Sequence, residues 1–357
     1  MSLLILESKE ERMELAQAIF DRQLAQDSRL GREYDDYRRR MMLQDINYNL
    51  EHLATAVKHQ APNILIDYTR WLLQLLAWRM VDLGPERVRE QMDHHFQIMQ
   101  EVLMEQGLAP GRELAREYLE QALEIIRTTS LTPSGDRGFA AGPLGNYRAR
   151  YLDSLIKADK KRAQEIIEEA LANGVSLEDI YMEIFQKVLV RVGELWHRDQ
   201  MNVAQEHYAT ALTQNIMGQL YPRIFARPRI NRSVVACCIG SELHEMSVRM
   251  VVDFLEMGGW DSIYLGAGVP PASLSQSIRE HEPDLVVLSV TMPVYLDLCR
   301  QAVEEIKKLQ DIDPPRVAVG GRALNLAPHL PAEWGADVST NNARELLDWT
   351  REKFNSH

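Results

Sequence analysis

The chain has 357 residues, enough for two or three domains with separate cores. Its 52 acidic and 40 basic residues give a formal net charge of -12, which excludes a broad surface for nucleic acid or anionic lipid. The three cysteines, Cys237, Cys238 and Cys299, give no disulfide framework, and the adjacent pair sits in an apolar run as small buried hydrophobes.

No leader pattern opens the chain and no apolar run reaches the roughly 18 residues of a membrane span, so the expectation is a cytoplasmic protein. Residues 1–128 read as helical throughout. Ser8 with Glu11 suits a capping box, and Ile46, Leu50, Leu53 and Val57 recur at helical spacing. A helix rich in large side chains follows, and Gly84-Pro85 stops it and starts another. That next helix carries a stripe through Val88, Met92, His95, Phe96, Met99 and Val102. His95 lies on the stripe and His94 off it; a lone histidine there is read first as a core residue with its hydrogen bonds satisfied.

Residues 129–145, rich in glycine, proline and serine without helical period, read as a linker. Residues 146–228 then read as four amphipathic helices, with Ser176 and Asp179 capping the third. Its last turn holds Trp196 and His197, and the fourth helix opens near Asn202, with Glu206 and His207 in its first turns. From residue 229 the period changes to short Val-rich runs alternating with helices, which predicts four parallel strands in a doubly wound sheet. Ligands in such sheets bind beyond the carboxyl ends of the strands, which directs attention to the loops "GSELHEMS", "GAGVPP", "SVTMP" and "GGRALN".

In the first loop Glu242 and His244 are one residue apart. A metal-bound imidazole commonly passes its second ring N–H to a carboxylate, and Glu242 is the expected acceptor. No further Cys, His or carboxylate cluster stands nearby, so a metal held here takes its other ligands from a macrocycle. At this point the sequence resembles corrinoid-binding domains, through a Glu-x-His motif in which Ser247 replaces the usual glycine. Ser289, Thr291, Gly320 and Gly321 also match that family's positions along the buried nucleotide tail. The resemblance, over about residues 146–354, implies a flavodoxin-like fold and a base-off cobalamin with His244 as the lower cobalt ligand.

Trp196, His197, Glu206 and His207 match the Trp-His and Glu-His positions of light-sensing cobalamin proteins similar to the CarH photoreceptors. That resemblance implies adenosylcobalamin, with Trp196 shielding the upper group and Glu206 and His207 enclosing it. It also implies His197 as an upper cobalt ligand after photolysis, signalling through domain packing and oligomeric state, and no enzymatic turnover. Residues 1–128 do not resemble a helix-turn-helix module, which disfavours direct DNA binding. They resemble the globin-like domain of photocobilins, implying biliverdin as a second chromophore near Tyr68 and His95, with Trp71, Trp78 and Phe96 as further lining. The absence of cysteine before Cys237 restricts such a bilin to non-covalent binding. A helical dimerisation or spacer bundle stands equally open.

The expected architecture is thus multidomain α and α/β. A homo-oligomer, dimer or tetramer, is expected together with an unidentified effector protein. The competing function is a corrinoid shuttle of a methyltransferase system, and an adenosylcobalamin mutase subunit ranks last because no barrel domain is present.

Overall fold

The computed structural model describes residues 8–26, 35–105, 111–132, 138–242 and 244–354, which form two compact units. The first comprises the chain up to Thr132 together with Ala323–Leu330, and the second the remainder.

The chain up to Thr132 forms five described helices: α1 (Lys9–Gln26), α2 (Asp36–Lys58), α3 (Pro62–Arg79), α4 (Pro85–Glu105) and α5 (Arg112–Thr128). Asp35 caps α2 by accepting from the Arg38 N–H, and prolines open α3 and α4, where the missing N–H costs nothing. Ile19, Leu50, Leu53, Leu73, Phe96 and Leu119 are fully buried among these helices. Ala323, Leu324, Ala327 and Leu330 are also buried, and the His329 ring meets the carbonyl oxygen of His59 at 3.1 Å.

A polar chain crosses this apolar interior. Tyr68 Oη donates to Asn49 Oδ1 at 2.8 Å, Asn49 Nδ2 meets His95 Nε2 at 2.9 Å, and His95 Nδ1 meets Gln23 Oε1 at 2.8 Å. Because the amide Nδ2 only donates and Oε1 only accepts, His95 is fixed as the neutral Nδ1–H tautomer. Burial lowers its pKa to about 4. His52 stacks on Tyr68 with ring centroids 3.7 Å apart, and burial lowers its pKa to about 4 as well.

The second unit begins with four helices: α6 (Gly145–Ile156), α7 (Lys160–Ala172), α8 and α9 (Val203–Phe225). Helix α8 runs from Leu177 to His197 and contains a π-helical stretch, Ile180–Gln186, that helical periodicity did not anticipate. Ser176 caps its start as expected, accepting from the Asp179 N–H. A parallel sheet follows in the order β2-β1-β3-β4-β5, where β1 is Ser233–Cys238, β2 Asp261–Gly266, β3 Leu285–Ser289, β4 Arg316–Gly320 and β5 Val338–Ser339. The fifth strand corrects the expectation of four; it has only two residues, too short to show a strand pattern. The crossing helices are α10 (Met246–Met257), α11 (Pro271–His281), α12 (Leu296–Lys307) and α15 (Ala343–Phe354), while the short α13 (Arg322–Leu326) and the start of α14 (Leu330–Glu333) fall in the segment that groups with the first unit. The bundle and one face of the sheet share a single core that includes Tyr181, Phe185, Val234, Phe254 and Leu347. No described helix is long and apolar enough to cross a membrane.

Candidate functional site

Strand order reverses between β1 and β3, so the crevice of this sheet opens where the loops after those strands diverge. Glu242 and His244 lie in the first loop, Thr291 and Met292 in the second. Glu242 is buried, and its carboxylate accepts from the Thr291 N–H at 3.0 Å and the Met292 N–H at 2.8 Å. Burial pushes its pKa up, and those two N–H groups, with His244 nearby, pull it back. This corrects the expectation that Glu242 serves His244 as acceptor: the carboxylate ties the two loops together across the switch point. The reason is local. The N–H groups at a strand end have lost their ladder partners, and a buried anion satisfies both.

The His244 backbone is anchored while its side chain stays exposed. Its carbonyl oxygen accepts from Cys238 Sγ at 3.6 Å and from Ser247 Oγ at 3.5 Å. Ser247 is itself exposed in the first turn of α10, where its Cβ is accommodated. In the strand register Cys238 pairs with Ser289 and Ser289 with Gly320, so these residues form one row at the carboxyl edge. Gly321 follows with φ +105°, and a Cβ on it would collide with the Val290 carbonyl; a Cβ on Gly320 would stand 2.5 Å from the Thr340 oxygen. Both glycines therefore serve close backbone packing at the loop.

The second group of residues stands at one end of the bundle. Trp196 and His197, both half-buried, close α8. Asn202 then starts α9 with a capping box: its side chain accepts from the Gln205 N–H, and Gln205 Oε1 accepts from the Asn202 N–H. This fixes the first turn of α9, in which Glu206 Oε2 meets His207 Nδ1 at 2.7 Å. Thr210 Oγ1 donates to Glu206 Oε1 at 3.1 Å, and one turn further Gln214 Nε2 donates to Glu245 Oε1 at 3.1 Å. Glu206, Thr210 and Gln214 thus line one face of α9, and Gln214 touches the residue next to His244. At 1.5 Å per residue, Glu206 stands about 12 Å further along the helix axis than Gln214. Thr210, Gln214 and Glu245 escaped the sequence reading; the signal for the first two was the polar i, i+4, i+8 series starting at Glu206.

His95 and Tyr68 lie in the first unit, inside the hydrogen-bonded chain described above, and both His95 ring nitrogens are committed there. His94 is exposed.

Among the described residues no group of three or more His, Cys, Asp or Glu side chains is placed to hold a metal ion. The donor set at the crevice is one exposed imidazole on a braced loop, which fits a metal that brings four equatorial ligands of its own. A four-helix bundle beside a flavodoxin-like sheet with such a loop defines the cobalamin-binding class. Residues 147–221 and 232–347 each match a B12 binding domain family, so this part of the chain belongs among cobalamin-binding proteins and takes a corrinoid cofactor. Over 210 residues, 57% of this chain and 94% of the relative, it is 23% identical to trimethylamine corrinoid protein 1 of Methanosarcina acetivorans. Over 154 residues, 43% of this chain and 52% of the relative, it is 29% identical to the HTH-type transcriptional repressor CarA of Myxococcus xanthus. The Methanosarcina barkeri monomethylamine corrinoid protein shares the fold, with a TM-score of 0.52 at 20% identity over 59% of this chain and all of that one.

Proposed function

We propose that the protein is a light sensor that binds adenosylcobalamin base-off through His244 and does not turn over a substrate. The observation that carries the reading is the α9 face on which Glu206, Thr210 and Gln214 connect the bundle end to the loop of His244. The bound cofactor supplies a light-sensitive cobalt-carbon bond. The chain supplies the rest. Glu242 holds the two crevice loops at fixed separation, His244 would hold the cobalt through its imidazole, and Trp196 would exclude water from the adenosyl group. Glu206 and His207 would hold the adenosyl group by hydrogen bonds, and His197 would serve as a second imidazole ligand to cobalt after photolysis. Loss of the enclosed volume repacks the bundle, and a homo-oligomer carries the change to an effector protein.

For the first unit we propose non-covalent biliverdin. Tyr68, Trp71 and Trp78 lie half-buried on one side of α3, spaced to meet a planar ring system. His95 belongs to the network behind Tyr68.

A corrinoid shuttle for methyl transfer is the second reading. Its support is that the match to the trimethylamine corrinoid protein spans 94% of that relative. The two readings diverge at the upper face, since a shuttle requires it open to a partner enzyme.

The test is reconstitution in the dark with adenosylcobalamin and biliverdin, followed by absorption spectra and sizing chromatography before and after green light. The sensor reading expects an alkylcobalamin spectrum that converts to a stable bis-imidazole one with a change in size, and loss of that product in His197→Ala. A bilin band co-eluting with the protein assigns the first unit. Photolysis at the rate of free cofactor with no change in size would leave the shuttle.

A further inference from the structure

Three side chains from the bundle and from α10 converge on one buried carboxylate. Asp253 lies on α10 and is 1% exposed. Tyr181, in the π-helical stretch of α8, donates its hydroxyl to Asp253 Oδ2 at 2.7 Å. Its ring is held edge-on by Phe185 at 5.4 Å and by Phe254 at 6.4 Å. Tyr221, from α9, lies near Asp253 and packs its ring against Arg249, whose guanidinium carbon is 5.9 Å from the ring centroid. The other charged neighbour on α10 is Glu256, which is itself engaged by Arg229 at 2.7 Å. The sheet and α15 face this region with apolar side chains such as Val234, Ala236, Leu346 and Leu347.

We infer that Asp253 is a positioning residue that seats the bundle at a fixed height over the His244 loop, an inference that rests on the cobalamin reading. Helix α10 starts two residues after His244, so the carboxylate is tied to the ligand loop through a single helix. Helix α9 lays Tyr221 against the Arg249 guanidinium, Gly218 alongside the same side chain and Gln214 against Glu245, on successive helical turns. The same helix carries Glu206 and His207. The turn-by-turn match sets how far those two stand from His244.

An apolar residue in place of Asp253 would avoid the cost of a buried charge, so what the carboxylate adds is direction: the Tyr181 hydroxyl of α8 meets it at 2.7 Å, and Arg249 with Tyr221 stacked on it flanks the same group. The π-helical stretch belongs to the same device, since such turns occur where a side chain must be re-aimed. Burial pushes the Asp253 carboxyl up to about 6, against the pull of Tyr181, Arg249 and Tyr221, with Glu256 adding to the rise. A carboxyl with a raised value in the docked state gives up docking stability as pH rises through about 6. The seat is therefore firmer in mild acid and looser above neutrality.

The experiment uses the full chain as wild type, Asp253→Asn and Tyr181→Phe. In cofactor-free protein, Tyr181→Phe is expected to speed hydrogen exchange of α9 amides about tenfold and to leave α1–α5 unchanged. With hydroxocobalamin bound, Asp253→Asn is expected to release cofactor more slowly than wild type near pH ~5 and near pH ~8, with the gap about tenfold wider at the higher pH, one pKa unit's worth. Tyr181→Phe releases faster at both. Identical α9 exchange in all three chains, or a pH dependence of release that survives Asp253→Asn, overturns the inference. If even wild type gives no imidazole-ligated spectrum, the cobalamin reading has failed instead, and α9 exchange still decides whether Asp253 seats the bundle.

Discussion

Glu242 shows what a single side chain at a strand end can be asked to do. Its place in the loop was legible, because a carboxylate one residue from a histidine after an apolar run stands out. Its partners were not, since the N–H groups it binds belong to residues 291 and 292 and only the strand order brings them within reach. Gly321 is the complementary case: the glycine pair was visible, and the structure adds the cause, a φ of +105° beside the Val290 carbonyl. Gly321→Ala is accordingly expected to lower the stability of the second unit by about 2 kcal/mol or more in denaturant titration. A neutral outcome would mean that the loop relaxes around a Cβ and that the glycine is not set by close packing. His95 was open between core residue and ligand; its two hydrogen bonds place it in the core network.

At the level of elements, α9 carries the most. Its first turn is defined by the reciprocal hydrogen bonds of Asn202 and Gln205, and the pair Glu206-His207 depends on that turn for its direction. Asn202→Ala should cost about 1 kcal/mol in thermal or chemical unfolding and should raise amide exchange in the first turn of α9 without touching α8. A stability loss spread evenly over the bundle would contradict a local capping role. Helical spacing revealed the boundaries of α6 to α9 because each buries one stripe. It concealed the π stretch in α8, because Ile180, Ile184 and Val188 satisfy a four-residue step whether or not the turn widens. The fifth strand escaped for the opposite reason, having too few residues to show any period.

Considered whole, the molecule holds two oppositely signed responses to acid. In the first unit His52 and His95 have values lowered to about 4 from 6.5, so the unfolded chain takes up protons first and stability falls as pH drops through that window. The loss is on the order of 3 kcal/mol per ring at its limit. In the second unit Asp253 behaves the other way, its raised value making the folded form the better proton acceptor between about 6 and 3.8. Calorimetry at neutral pH and near pH ~5 should therefore show the transition of the first unit moving down relative to that of the second, with His95→Leu reducing the shift. Equal displacement of both transitions would sink the assignment.

The division of the chain has a consequence for anyone recombining it. Ala323, Leu324, Ala327 and Leu330 are buried, yet they fall with the first unit and outside the main core of the second, although the B12 binding domain match runs through them to residue 347. The first unit is thus a module discontinuous in sequence. Grafting a foreign domain onto the cobalamin-binding part by replacing residues up to 132 alone would strand four apolar side chains that belong to the first unit. A functional chimera has to exchange the two segments together.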